Sequence, residues 1–117
     1  MSEIASNVDN KKQLAFLEKI SHLENNLYQA GIESKFTNPE QKKEFKRYCQ
    51  KWTKFVNAVR NNIAAVLVNK LEQNEKGFED GIEAINQEIQ KINDTVGFLE
   101  ILGRTIDIIE NIVSLVV

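Results

Sequence analysis

The chain has 117 residues, 42% of them hydrophobic, and fifteen Lys and Arg against seventeen Asp and Glu for a formal charge of −2. That is enough apolar material for one buried core without metals or disulfides. The near-balance of charge withholds the general positive field that nonspecific nucleic-acid binding needs. A lone cysteine, Cys49, excludes an internal disulfide. The Met1 to Asn10 start lacks a basic segment leading into an apolar one, so the expected setting is cytoplasmic and reducing.

One proline and five glycines leave few helix breakers. The β-branched residues recur at helical spacing and hardly anywhere alternate with polar ones, so the fold class is all-α. Residues 1–9 are expected to be a flexible lead-in, with residues 10–117 forming a single helical-bundle domain. The first helix is predicted from about Asn10 to Ala30, with Phe16, Ile20, Leu23 and Leu27 on one face and Gly31 as the left-handed cap that ends it. Thr37-Asn38-Pro39-Glu40 is the clearest helix start in the chain: Thr37 or Asn38 caps, and Pro39 sits where its missing N–H costs nothing.

The second helix then carries Phe45, Tyr48, Trp52, Phe55, Val56, Val59, Ile63, Val66, Leu67 and Leu71 on its apolar side and is predicted to run to Lys76, with a turn at Gly77 to Gly81. A third helix is predicted from Asp80, whose spacing to Glu83 fits a capping box. Helices two and three are then each roughly 36 residues, about 54 Å, and form a long antiparallel hairpin against which the shorter first helix packs. Along the third helix a narrow stripe, Ile82, Ile85, Ile89 and Ile92, has the form of a coiled-coil seam; beyond Val96 it widens to a broad apolar face. The two faces are out of phase around the wheel. A break within Asp94 to Gly97 would relieve the mismatch, and this gives the alternative architecture, a four-helix up-and-down bundle. Val96 to Val117 is long enough to span a bilayer, but Glu100, Arg104, Asp107 and Glu110 interrupt it, at roughly 2.5–3.5 kcal/mol for a charge near the centre.

Chemistry-bearing residues are few. Glu18 and His22 lie one turn apart, and two ligands with one histidine make neither a zinc site nor a di-iron bundle site. No metal, no cofactor and no catalytic set is expected. Cys49 has lysines nearby in sequence but no partner base, which favours an inert thiol. Lys42 to Phe55 mixes cations with aromatics as nucleic-acid binders do. On the wheel, however, Phe45, Tyr48, Trp52 and Phe55 gather on the side away from most of the cations, so they read as core rather than as a base-stacking platform. Charge is uneven: Pro39 to Arg60 is basic and Glu72 to Glu110 acidic, placed toward opposite ends of the expected bundle. Gly77-x-x-x-Gly81 has the spacing of a close helix contact, but its charged surroundings favour a turn.

The expected role is a non-enzymatic interaction module that pairs as a homodimer through its C-terminal helix. Ile108, Ile112, Leu115 and Val116 are the predicted interface, since one short first helix would leave them uncovered. The alternative is a membrane-surface protein whose C-terminal helix lies in the lipid interface.

Overall fold

A computed structural model describes the backbone of residues 2–29, 31–61 and 64–115, and the side chains of residues 11–29, 31–61 and 66–113. Four α-helices dominate: α1 (Ser2–Leu27), α2 (Pro39–Arg60), α3 (Val68–Ile89) and α4 (Thr95–Ile112). Two three-residue strands, β1 (Ala64–Val66) and β2 (Val113–Leu115), pair antiparallel with Ala65 opposite Ser114. The segment before Asn10 is taken into α1 from Ser2 onward.

The start of α2 forms as its residues dictate. Asn38 Oδ1 accepts the N–H groups of Glu40 and Gln41 at 2.9 and 3.2 Å, satisfying two donors that the first turn leaves open, and Pro39 follows at the first helical position. Gly31 has φ 96°, the left-handed conformation expected beyond the end of α1. Asp94 caps α4 by accepting the Gly97 N–H at 3.0 Å. A Cβ at Gly97 would lie 2.5 Å from Asp94 Oδ2, so a larger residue there would require the capping carboxylate to shift.

The long second-to-third helix hairpin does not form. α2 stops at Arg60, with Asn61 as its C-cap and the Asn61 N–H donating to the Asn57 carbonyl at 2.9 Å; Asn62 and Ile63 lie outside the described residues, and Ala64–Val66 form β1 where the longer helix was expected. The break near Asp94 that belonged to the alternative architecture is present, with the chain leaving helix after Ile89 and re-entering at Thr95. Gly77 and Gly81 form no turn; both lie inside α3, and Asp80 caps nothing. They serve close approach. A Cβ on Gly81 would overlap Thr105 Oγ1 of α4, and one on Gly77 would come to 3.3 Å from Ile108 Cδ1, so α3 and α4 pack with small residues at their contact. Gly77-x-x-x-Gly81 is therefore a helix–helix contact inside a folded bundle.

The order of helices around the bundle is α1, α2, α4, α3, so that α2 and α3 lie on one diagonal and α1 and α4 on the other. The α2-to-α3 connection makes that diagonal crossing. β1 passes beneath the end of α4, pairs with β2, and hands over to α3 through the Leu67 N–H, which donates to the Ile112 carbonyl at 2.8 Å. As a consequence the parallel helices α1 and α3 lie side by side. Lys12 pairs with Glu72, Lys19 with Glu79 at 2.6 Å, and Asn26 Nδ2 donates to Asn86 Oδ1 at 3.3 Å. Each pair is separated by 60 residues, and successive pairs step along both helices by a heptad. α2 and α4 are parallel as well, through Thr95 with Gln41 and Lys51 with Glu110.

Inside, Phe16, Ile20, Leu23 and Leu27 of α1 meet Phe78, Ile85 and Ile89 of α3, while Phe36, between α1 and α2, stacks on Phe45 at 4.6 Å and closes one end with Phe98. Trp52 is fully buried, and its indole N–H donates to the Ile20 carbonyl at 2.7 Å. Of the described side chains, no buried nitrogen or oxygen lacks a hydrogen-bond partner.

Candidate functional site

The broad apolar face of α4 is spent inside this chain. It packs on α2 on one side and α3 on the other, which leaves Ile109 and Ile112 at 0% exposure. Ile108 is half-buried against the Gly77 stretch of α3. Two of the four predicted interface residues therefore do not present an apolar patch, because a fourth helix covers what the three-helix reading left open. β2 carries the backbone of Leu115; its side chain and the whole of Val116 lie outside the described residues.

Cys49 is 3% exposed, and burial, with the nearby Glu33 charge adding to it, pushes its thiol up to about 12. Such a thiol stays protonated and unreactive. Tyr48 donates its hydroxyl to Glu44 at 2.8 Å, which raises the phenol above its ordinary value, and its ring fills the space left by Gly103 of α4. Trp52, in the core, is no platform for bases.

Glu18 and His22 are exposed on the rim of an open groove of about 940 Å³ between the parallel helices α1 and α3. Glu79, Ile82, Glu83 and Asn86 form its other wall, with half-buried Ile82 its apolar element. Among the described residues, no three His, Cys, Asp or Glu side chains gather as a metal site. The groove is thus a surface of charge and hydrogen-bonding groups. Glu72 and Glu75 extend its acidic line past Glu79, and Lys12 and Lys19 pair with Glu72 and Glu79.

The strongest electrostatic feature is the separation of charge by helix. α2 carries seven cations and two carboxylates, and α3 carries six carboxylates and two lysines. The two helices are diagonal partners, so the charges occupy opposite sides of the bundle and not opposite ends. On α2, Lys43, Arg47 and Lys54 are exposed and point away from the core stripe of Phe45, Trp52 and Phe55. Lys46 and Lys51 flank them and are held by Glu33 and Glu110 at 3.0 and 3.5 Å. Among the described residues Lys43 and Lys54 are in no ion pair, and neither are Glu75 and Glu83 across the bundle.

Sequence reasoning found both charged segments but missed the groove. Its signal is present in the chain: Lys12, Lys19 and Asn26 recur at steps of seven, as do Glu72, Glu79 and Asn86. Comparison with protein families, curated proteins and solved structures found no match to this chain.

Proposed function

We propose that this chain is a non-enzymatic helical module that recognises other proteins through its charged side faces. The observation that carries the reading is the diagonal placement of α2 and α3, which exposes a cationic side and an anionic side on one small bundle. A surface of this kind steers and orients a protein partner by complementary potential, and its effect weakens as salt rises. Self-association belongs to the same reading, moved from Ile108 and Ile112 to the charged faces. No helix among the described residues is long and apolar enough to cross a membrane. Ile112 and Ile109, which a C-terminal helix would present to lipid, are held by α2 and α3, so lipid contact through that helix would require the bundle to open.

A photo-crosslinking amino acid placed at Gln50 on α2 or Gln87 on α3, both exposed, tests this in cells producing the protein. The expected product is a discrete protein adduct, this chain or another, that is insensitive to nuclease and lost when extracts are made at high salt. Adducts confined to lipid or nucleic acid, or the absence of any adduct at both positions, would overturn the reading.

A further inference from the structure

We infer that copies of this chain associate head-to-tail, the basic face of α2 on one copy seating against the acidic groove between α1 and α3 on the next. The inference rests on the module reading above and names its partner.

Three observations point to a second copy. First, the charges match in sign and in span. Lys43 to Lys54 covers twelve residues of α2, and Glu72 to Glu83 covers twelve of α3, about 16 Å of helix from first to last in each case. Within those spans the positions 43, 47, 51 and 54 advance by four, four and three, and 72, 75, 79 and 83 by three, four and four, so the two series coincide when the helices run in opposite directions.

Second, that direction is the one a shifted copy provides. α2 runs antiparallel to α1, and α1 runs parallel to α3. Translating one bundle sideways therefore brings its α2 antiparallel to the α1 and α3 helices that wall the groove of the other. No rotation is needed, and every copy added meets the same geometry.

Third, the groove has room for such a helix face and charge left to receive it. It is open along its length, with half-buried Ile82 available to the aliphatic stems of lysine and arginine. Lys12 and Lys19 neutralise two of its carboxylates, while Glu75 and Glu83 stay in no ion pair among the described residues. Lys43 and Lys54 stand in the same condition on α2.

The two faces lie on opposite sides of the molecule, so a two-fold pair cannot engage both faces of both copies. A contact between unlike faces stays open at each end and repeats. The same geometry explains why association would be reversible, because an interface built on exposed ion pairs is weakened by salt.

Analytical ultracentrifugation of the purified full chain, at about 0.02 M and about 0.5 M salt, provides the test. In low salt the weight-average mass should rise with concentration past twice the chain mass of 13.4 kDa, and in high salt it should fall back to the monomer. Lys43→Glu with Lys54→Glu, and separately Glu75→Lys with Glu83→Lys, should each abolish the rise. Among the described residues none of these four side chains takes part in an ion pair, so helical circular dichroism should be unchanged. Mixing the two doubly substituted chains in equal amounts should give a pair and no further growth: the unsubstituted α2 of one chain meets the unsubstituted groove of the other, whereas the two substituted faces set like charges together at 51 with 75 and at 54 with 72 in the antiparallel register.

A wild-type chain that stays monomeric in low salt overturns the inference, as does a plateau at twice the chain mass, which would mark a closed pair. Association that survives either double substitution alone, or a mixture that fails to form that pair, also overturns it. A monomeric wild type whose photo-crosslinks still run to a different protein would leave the module reading standing while this partner falls. A monomeric wild type without crosslinks would remove both.

Discussion

Replacing Gly81 by Ala tests the helix packing on which the whole arrangement depends. At a solvent-facing helix position this change stabilises by about 1 kcal/mol, because alanine has less backbone freedom to lose. Here the new Cβ would overlap Thr105 Oγ1 and would approach Thr105 Cγ2 and Cβ at 3.2 and 3.3 Å. Thr105 cannot swing aside freely, since it is 1% exposed and its hydroxyl donates to the Ile101 carbonyl at 2.8 Å. Overpacking of this kind costs about 1–3 kcal/mol, so Gly81→Ala should destabilise the fold by a net of about 1 kcal/mol. Gly77→Ala should instead be neutral or stabilising, because its new Cβ meets only the mobile end of Ile108 at 3.3 Å. Thr105→Ala removes the hydroxyl and the methyl that cause the overlap, and in that background Gly81→Ala should become stabilising. Urea unfolding followed by circular dichroism and by Trp52 fluorescence would read all four corners of the cycle, with an expected coupling of about 1–3 kcal/mol. Additive effects of Gly81→Ala and Thr105→Ala would refute the reasoning. So would a loss above about 1 kcal/mol for Gly77→Ala, the signature of a left-handed turn glycine.

Trp52→Ala should cost about 3–5 kcal/mol in the same assay, since it empties the largest fully buried side chain and deletes its bond to the Ile20 carbonyl; a cost below about 1 kcal/mol would contradict that burial. Cys49, at about 12 against an ordinary thiol value of 9.0, holds a proton in the folded chain that the unfolded chain releases, so its contribution is intact below pH 9 and declines as pH rises from 9 toward 12. Urea midpoints of Cys49→Ala should fall less than wild type across that window, and thiol reagents at pH 8 should modify wild-type Cys49 only as fast as the chain opens. Asn26→Cys with Asn86→Cys, in a chain carrying Cys49→Ala, should form an intramolecular disulfide under mild oxidation and raise stability by up to about 4 kcal/mol for a loop of this length; exclusively intermolecular disulfides would argue against parallel neighbours α1 and α3.

What was legible in the sequence was local chemistry. Asn38-Pro39 capping α2, the positive φ of Gly31 and the burial of Trp52 all follow from residue type and 3.6-residue spacing, and the structure has each; α1 itself ends at Leu27, four residues before the glycine expected to cap it. The misreadings share one cause: glycine was taken as punctuation. Gly77 and Gly81 sit in charged surroundings that resemble a turn, but their reason lies far along the chain, in Ile108 and Thr105 of α4, and no local pattern carries that. The break at Asn61 was hidden for a related reason. Val66, Leu67 and Leu71 continue the helical spacing of α2, although Val66 belongs to a strand whose partner is the last described stretch of the chain. Once those two errors stood, the wide face of α4 had no second helix to cover it, and Ile112 became a surface residue by default. The candidate site was legible only as two charged segments; that they lie on opposite sides depends on the diagonal crossing, which is a property of the β1–β2 pairing.

That crossing also decides what the charges can do. Were α2 and α3 neighbours, as in an up-and-down bundle, Lys43, Arg47 and Lys54 could pair with the carboxylates of α3 within one chain. Exposed pairs of that kind are worth about 0.2–1 kcal/mol each, so the fold gives up little stability by keeping them apart. What it retains is the potential of each unpaired face, which acts over about 10 Å at 0.1 M salt and so reaches a second molecule before contact. α1 and α4 do supply some internal partners, through Lys12, Lys19 and Glu110. Those partners sit at the seams between adjacent helices and fix their register. Among the described residues Lys43, Lys54, Glu75 and Glu83 are in no ion pair, and these are the residues through which salt concentration would control association.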